Sequence, residues 1–95
     1  MARPAASATT LVDDDRVRVT RFDFAPGAET GWHVHAHDYV VTPITPCEFL
    51  LEEPGGKTRS VSMGPGEAYR RQTGVEHNVI NGGSEPMSFV EVELK

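Results

Sequence analysis

The stretch GWHVHAHDY, residues 31 to 39, places three histidines at alternate positions, and a fourth, His77, follows in GVEHNVIN, residues 74 to 81. Side chains two apart on a β-strand point to the same face, so His33 and His35 can direct their imidazole nitrogens to one point. A third ligand has to come from another strand, and His77 is the candidate. The spacing therefore predicts a metal site inside a small β-barrel.

The expected cofactor is one divalent metal ion held by His33, His35 and His77. Three imidazoles suit several first-row ions, so iron, manganese, nickel and zinc are all open, and cellular supply selects among them. Three protein ligands leave positions free for water or substrate. The alternative is that these histidines are structural and are satisfied by backbone carbonyls.

Length and composition indicate a single domain spanning residues 1–95, with 38% apolar residues available for a modest core. The net charge of −5 argues against a nucleic-acid partner. No segment approaches the ~20 apolar residues of a membrane-spanning helix, so we expect no membrane partner. Cys47 is the only cysteine, which excludes an intrachain disulfide, and no signal-peptide pattern is visible. We therefore expect a cytoplasmic protein.

Nine glycines and seven prolines divide the chain into short segments rich in Val, Phe, Thr and Tyr, which is typical of strands. The first ten residues, MARPAASATT, have no periodicity, and we expect an arm that is flexible or orders against a partner subunit. No window has a helical period. The pattern predicts an all-β barrel or sandwich with about eight strands, at 16–24, 29–36, 38–44, 47–53, 58–63, 67–72, 77–81 and 87–94.

Two glycine-framed motifs resemble those of the cupin family. Gly27 is followed after five residues by His33-Val34-His35, as in the first cupin motif. In the second, Gly66 leads to Gln72-Thr73-Gly74, then His77 and Asn81, with Gln72 in place of the usual Pro. The chain is thus similar to a small single-domain cupin, particularly to short bacterial cupins linked with β-alanine degradation. The resemblance implies an all-β, RmlC-like jelly-roll barrel, usually a homodimer.

One position departs from the family pattern. Cupins place a Glu ligand four residues after the second His, and this chain has Tyr39 there. A neutral phenol binds divalent ions weakly, because its reference pKa near 10 leaves it protonated. We therefore expect three His ligands and water. Similar three-His sites occur in cupin-type dioxygenases, so the resemblance implies that loss of the Glu is compatible with metal binding.

His37 shares strand parity with His33 and His35, which makes a four-His site conceivable. Residues four apart on a strand are separated by about 13 Å, too far to share an ion unless the strand bends. We therefore expect His37 at the mouth of the barrel, hydrogen-bonded to a carboxylate or to substrate.

Tyr69 and Arg71 alternate in EAYRRQ, and the resemblance implies that their shared face is the barrel interior. A buried guanidinium needs a partner, so Arg71 should pair with a protein acid such as Glu76 or with an anionic substrate. Tyr39 and Tyr69 either offer hydroxyls to a ligand or fill the core. Asn81 is expected to support the site through hydrogen bonds.

Trp32 and Val34 have the opposite parity and point away from the predicted metal. Apolar side chains on the outside of a small barrel need cover, and a second subunit would provide it. We therefore predict a homodimer.

Three classes of function fit the predicted site and a small, carboxylate-bearing metabolite. A Lewis-acid enzyme could isomerise, hydrate or cleave a keto or β-substituted acid. An Fe(II) dioxygenase would hold substrate and oxygen side by side. A non-catalytic binding or sensory module would hold the ligand unchanged, and fold alone does not decide among the three.

Overall fold

The computed structural model describes residues 2–95, whose regular elements are all β-strands. Short turns, several containing glycine, connect these strands. The nine strands are β1 (Ser7–Asp13), β2 (Val17–Phe24), β3 (His33–Val34), β4 (Asp38–Pro43), β5 (Cys47–Glu53), β6 (Lys57–Met63), β7 (Tyr69–Arg71), β8 (Glu76–Asn81) and β9 (Met87–Leu94).

The strands form two antiparallel sheets packed face to face. One has the order β1-β2-β9-β4-β7 and the other β3-β8-β5-β6. β9 therefore lies between β2 and β4, and β8 lies between β3 and β5. The last two strands of the chain are thus interior strands that contact segments far away in sequence.

The core lies between the sheets. Phe89 of β9 stacks on Phe24 of β2 at 5.5 Å between ring centroids, and meets Phe49 of β5 edge-on at 5.4 Å. Such aromatic pairs stabilise a fold by about 1 kcal/mol beyond the area they bury. The buried core consists of residues from both sheets and of Ala28 from the connection between β2 and β3: Phe24, Ala28, Tyr39, Val41, Cys47, Phe49, Leu51, Val79, Met87 and Phe89.

The predicted strands differ most from the observed ones at two places, and elsewhere their ends shift by at most one or two residues. The segment 29–36 contracts to β3, because a turn around Gly31 precedes His33. β1 was not predicted, because all seven of its residues are exposed and show no apolar alternation. Residues 7–10 of the expected arm belong to β1 and pair with β2 of the same chain.

No helix that could cross a membrane is found in residues 2–95.

Candidate metal centre

Two of the three predicted ligands face each other across neighbouring strands. His33 of β3 pairs directly with His77 of β8, and their ring centroids are 4.7 Å apart. β3 ends at Val34, but the His35 N–H donates to the Val75 carbonyl at 2.9 Å. This bond holds His35 against the segment leading into β8, so all three imidazoles stay on one side.

The three Nε2 atoms converge. His35 Nε2 lies 3.0 Å from His33 Nε2 and 3.0 Å from His77 Nε2. His35 Nε2 takes part in both contacts, but a ring nitrogen carries at most one N–H and can donate to only one neighbour. Hydrogen bonding alone therefore does not account for the cluster. Nitrogens bound to one ion at about 2.1 Å lie about 3.0 Å apart at a right angle and about 3.4 Å apart in a tetrahedron. The spacing therefore fits a shared divalent ion.

The backbone before β3 fixes the orientation of the His33 ring. His33 Nδ1 lies 2.9 Å from the Gly31 carbonyl and donates to it, which leaves Nε2 with a free lone pair. Gly31 has φ of 87°, a conformation that favours glycine, and its N–H donates to Asn78 Oδ1 at 3.0 Å. Asn78 thus supports His33 through the turn, a role that the sequence did not predict.

The environment keeps two of the imidazoles neutral, the form that binds metal. Burial, followed by the neighbouring His33 and Arg71, lowers the pKa of His35 to about 4. Burial lowers the pKa of His77 to about 3, with smaller contributions from His33, His35 and Arg71. Both side chains therefore present lone pairs at neutral pH.

Acidification from pH 6.5 to about 4.5 is expected to destabilise the metal-free protein. The unfolded chain takes up protons at His35 and His77 in this window, whereas the folded pKa values near 4 and 3 keep both rings neutral. Glu91 acts oppositely, because burial raises its folded pKa to about 7 and the folded chain holds that proton. The unfolded state therefore binds one proton more, and the free energy of unfolding should fall by about 1.4 kcal/mol per pH unit. Denaturant titrations with a chelator present measure this slope.

His77→Ala provides the control for the pH dependence. The variant keeps only one histidine, His35, that takes up a proton on unfolding, and this proton balances the one that Glu91 loses. The free energy of unfolding should therefore change little with pH over the same window. A wild-type slope of zero, or the same slope in both proteins, would contradict neutral His35 and His77 and a protonated Glu91 in the folded protein.

Tyr39 supports the centre without being placed to act as a ligand. Its ring stacks on His35 at 3.8 Å between centroids and is 1% exposed. The hydroxyl is buried with no hydrogen-bond partner among residues 2–95. Burial raises the pKa of Tyr39 well above its usual range, so the phenol remains a neutral donor. An unpaired buried donor beside a candidate metal site is suited to a bound ligand or water.

Glu91 of β9 is the functional candidate that sequence reasoning missed. It is 7% exposed, and its Oε1 lies 3.9 Å from His35 Nε2. Burial, with a smaller contribution from Glu93, raises the pKa of Glu91 to about 7. The composition of MSFVEVEL predicts a strand, but nothing in this segment indicates that Glu91 lies beside the histidines.

A cavity of about 380 Å³ lies between the β6 and β7 edges of the two sheets. None of the three histidines lines this cavity. Arg71, which does line it, lies opposite Tyr39 of β4, whose ring covers His35, and its charge contributes to the lowered pKa of both His35 and His77. The cavity is therefore close to the histidine cluster. Burial raises the pKa of Tyr69 to about 12, so this cavity residue is also a neutral phenol. The lining consists of Phe49, Leu51, Val61, Met63, Tyr69, Arg59, Arg70 and Arg71.

Other predicted site residues have different surroundings. His37 is partly exposed and lies outside the group formed by His33, His35 and His77. The pairing of Arg71 with Glu76 does not form: within residues 2–95, neither side chain has an ion-pair partner closer than 4.0 Å.

The expected support by Asn81 is also not seen. Its Nδ2 donates to the Glu85 carbonyl at 2.8 Å, and its Oδ1 accepts from Gly83 N–H at 3.0 Å. Asn81 therefore holds the turn between β8 and β9, at the other end of the strand from His77.

The fold and the site define an all-β, jelly-roll barrel with a candidate three-histidine metal centre. Residues 20–93 match the Cupin_2 cupin domain, and the chain belongs to the cupin family, which confirms the predicted family and fold. It is 53% identical over 93 residues to the beta-alanine degradation protein BauB of Pseudomonas aeruginosa, covering 98% of this chain and 97% of that protein.

Solved structures with this fold include a bacterial cupin domain and an enzyme. A cupin domain from Bordetella pertussis Tohama I is 48% identical with a TM-score of 0.94, covering 100% of this chain and 98% of that one. The polyketide cyclase RemF from Streptomyces resistomycificus is 25% identical with a TM-score of 0.73, covering 99% of this chain and 70% of that one. The similar folds thus include an enzyme.

Proposed function

We propose that this protein is a metal-dependent enzyme that acts on a small carboxylate-bearing metabolite, in an isomerisation, hydration or lyase reaction. The observation that carries the proposal is the juxtaposition of the three-histidine cluster with a cavity lined by Arg71. A divalent ion bound to His33, His35 and His77 would supply Lewis-acid polarisation of a substrate oxygen.

Arg71 is the proposed anchor for the substrate carboxylate. It is half-buried, it faces the cavity, and no acidic side chain among residues 2–95 lies within 4.0 Å of it. Its planar guanidinium can bind a carboxylate through two parallel hydrogen bonds. Because a partly buried guanidinium is unfavourable without a partner, an anionic ligand fits this position better than a neutral one.

The other cavity residues suit the remainder of such a substrate. Phe49, Val61 and Met63 provide apolar walls for a short carbon chain and exclude water from it. Tyr39 does not line the cavity, but its hydroxyl is buried without a partner among residues 2–95 and its ring lies on His35, so it would donate a hydrogen bond to a substrate oxygen that reaches the histidines. Tyr69 narrows the same space by packing edge-on against Phe49 at 6.4 Å between centroids.

The comparisons support a carboxylate-bearing substrate and an enzymatic role. The relative BauB is named for β-alanine degradation, and β-alanine is a small carboxylate. RemF is named as a polyketide cyclase, so a protein with a similar fold is an enzyme.

Elemental analysis of protein purified without chelator, followed by ligand titration, tests the proposal. We expect about one first-row metal per chain, and binding of propionate that is much tighter than binding of propionamide, which has the same carbon chain and no charge. Oxygen consumption in the presence of short carboxylic acids would instead favour the Fe(II) dioxygenase. Absence of metal, or equal affinity for acid and amide, would exclude the proposed function.

We further propose that the protein works as a homodimer. Trp32 and Val34, on the outer side of the segment that carries His33 and His35, are 54% and 62% exposed. Exposure of these two apolar side chains to water is unfavourable, and it is typical of an interaction surface. In a symmetric dimer, the same surface would be buried on both subunits.

Size-exclusion chromatography with light scattering should give about twice the 10.4 kDa of the chain. Val34→Glu should produce a monomer, because it introduces a charge into the proposed interface. Ile44→Glu is the matched control, since Ile44 is 41% exposed and lies outside β3 and the turn before it. A wild-type monomer at micromolar concentration contradicts the dimer.

A further inference from the structure

Glu91 lies in the middle of the larger sheet and faces the histidine cluster. On β9 it is flanked by Thr20 of β2 and Val41 of β4, and it is 7% exposed. Its Oε1 approaches His35 Nε2 to 3.9 Å. That nitrogen is the middle one of the three, being 3.0 Å from both other Nε2 atoms.

The protein supplies no cation to this carboxylate. His35 is the only basic side chain among residues 2–95 within 4.0 Å of Glu91, and it is itself one of the three candidate metal ligands. No hydrogen-bond donor among these residues reaches the Glu91 oxygens either. A buried carboxylate without a counter-charge or hydrogen-bond donor destabilises the fold. A divalent ion at the histidine cluster would supply the counter-charge.

Tyr39 does not take the place of the missing glutamate ligand. Its ring lies against His35 rather than beside the three Nε2 atoms, with an interplanar angle of 18°. The cluster therefore lacks a carboxylate from the strand that follows the histidines. Glu91 brings one to the same point from β9, on the opposite sheet.

We infer that Glu91 is the fourth protein ligand of this metal centre, an inference that rests on the proposed metal-dependent function. Adjacent ligand atoms on one ion are about 3 Å apart, so Oε1 has to approach by about 1 Å. The side chain has three rotatable bonds and can make that movement without a shift of β9. Carboxylate and imidazole are a common combination for zinc, iron and manganese.

The test compares Glu91→Gln with Glu93→Gln. Glu93 lies two residues further along β9, so it shares strand parity with Glu91, and its replacement removes the same charge near the centre. Zinc affinity is measured by competition with a chromophoric chelator, and the ligand field by the visible absorption of Co(II)-loaded protein. Glu91→Gln should weaken zinc binding by at least about 10- to 100-fold, the loss typical of residues that only support a ligand. It should also change the Co(II) spectrum, whereas Glu93→Gln should do neither.

Equal zinc affinity in the two variants would overturn the inference, since any effect would then be a general charge effect. Weaker binding with an unchanged Co(II) spectrum would overturn it as well, because the ligand set would be the same. Glu91→Met, of similar length and without charge, replaces Glu91→Gln if that variant does not fold. A wild-type protein that binds no metal refutes the proposed function itself, which is a separate outcome.

Discussion

His77→Ala is expected to abolish stoichiometric metal binding while the β-barrel remains folded. His77 supplies one of three convergent Nε2 atoms, and within residues 2–95 the other imidazoles at that point are those of His33 and His35. Loss of a residue that merely supports a ligand costs 10–100-fold in affinity, so loss of a ligand should exceed about 100-fold. Elemental analysis and zinc competition measure the loss, and circular dichroism checks the fold. The pair His33→Ala and His35→Ala should have the same effect.

His37→Ala is the matched control for this prediction. His37 is the one histidine outside the cluster, so its replacement should change metal occupancy little. Comparable losses in His37→Ala and His77→Ala would indicate a four-histidine site. Full metal content in His77→Ala would remove the basis of the assigned centre.

The position of the histidine cluster could be predicted from the sequence because its geometry is mostly local. His33 and His35 are two residues apart, and that spacing fixes their relative direction once the segment is extended. The contribution of His77 was predicted from the second glycine-framed motif. The structure places His77 directly opposite His33, in a register that local spacing alone does not determine.

Glu91 and Asn78 could not be predicted in the same way. Glu91 reaches His35 only because β9 is inserted between β2 and β4, a pairing between segments distant in sequence. In MSFVEVEL, Glu91 and Glu93 look equivalent, because they share strand parity. Glu91 is 7% exposed and Glu93 is more exposed, a difference that the sheet order explains and the sequence does not show. Asn78 supports His33 through the backbone of Gly31, an indirect contact that no spacing rule describes.

β1 illustrates a different limit. Strand prediction relies on one face being apolar, and every residue of Ser7–Asp13 is exposed. Its pairing with β2 comes from backbone hydrogen bonds at a sheet edge, which leave little trace in side-chain composition.

Arg71→Lys is expected to retain metal but to weaken binding of short carboxylates by about 1–3 kcal/mol, or about five- to 150-fold in Kd. Lysine keeps the positive charge, so the loss reports the two-pronged contact that the guanidinium makes and an ammonium does not. Arg71 has no acidic partner within 4.0 Å among residues 2–95, and thus no ion pair within the protein is sacrificed. Calorimetric titration of the metal-loaded protein with propionate measures the change.

Arg70→Lys is the matched control, because it alters the neighbouring residue of the same strand and conserves charge in the same way. Arg70 is 65% exposed and bonded to Asp38 at 3.1 Å, so its guanidinium is already occupied and its replacement should affect propionate affinity much less. If Arg71 is structural, Arg71→Lys should instead lower the melting temperature and leave propionate affinity unchanged. That result would end the anionic-substrate proposal and leave the metal centre standing, since the histidines bind independently of Arg71.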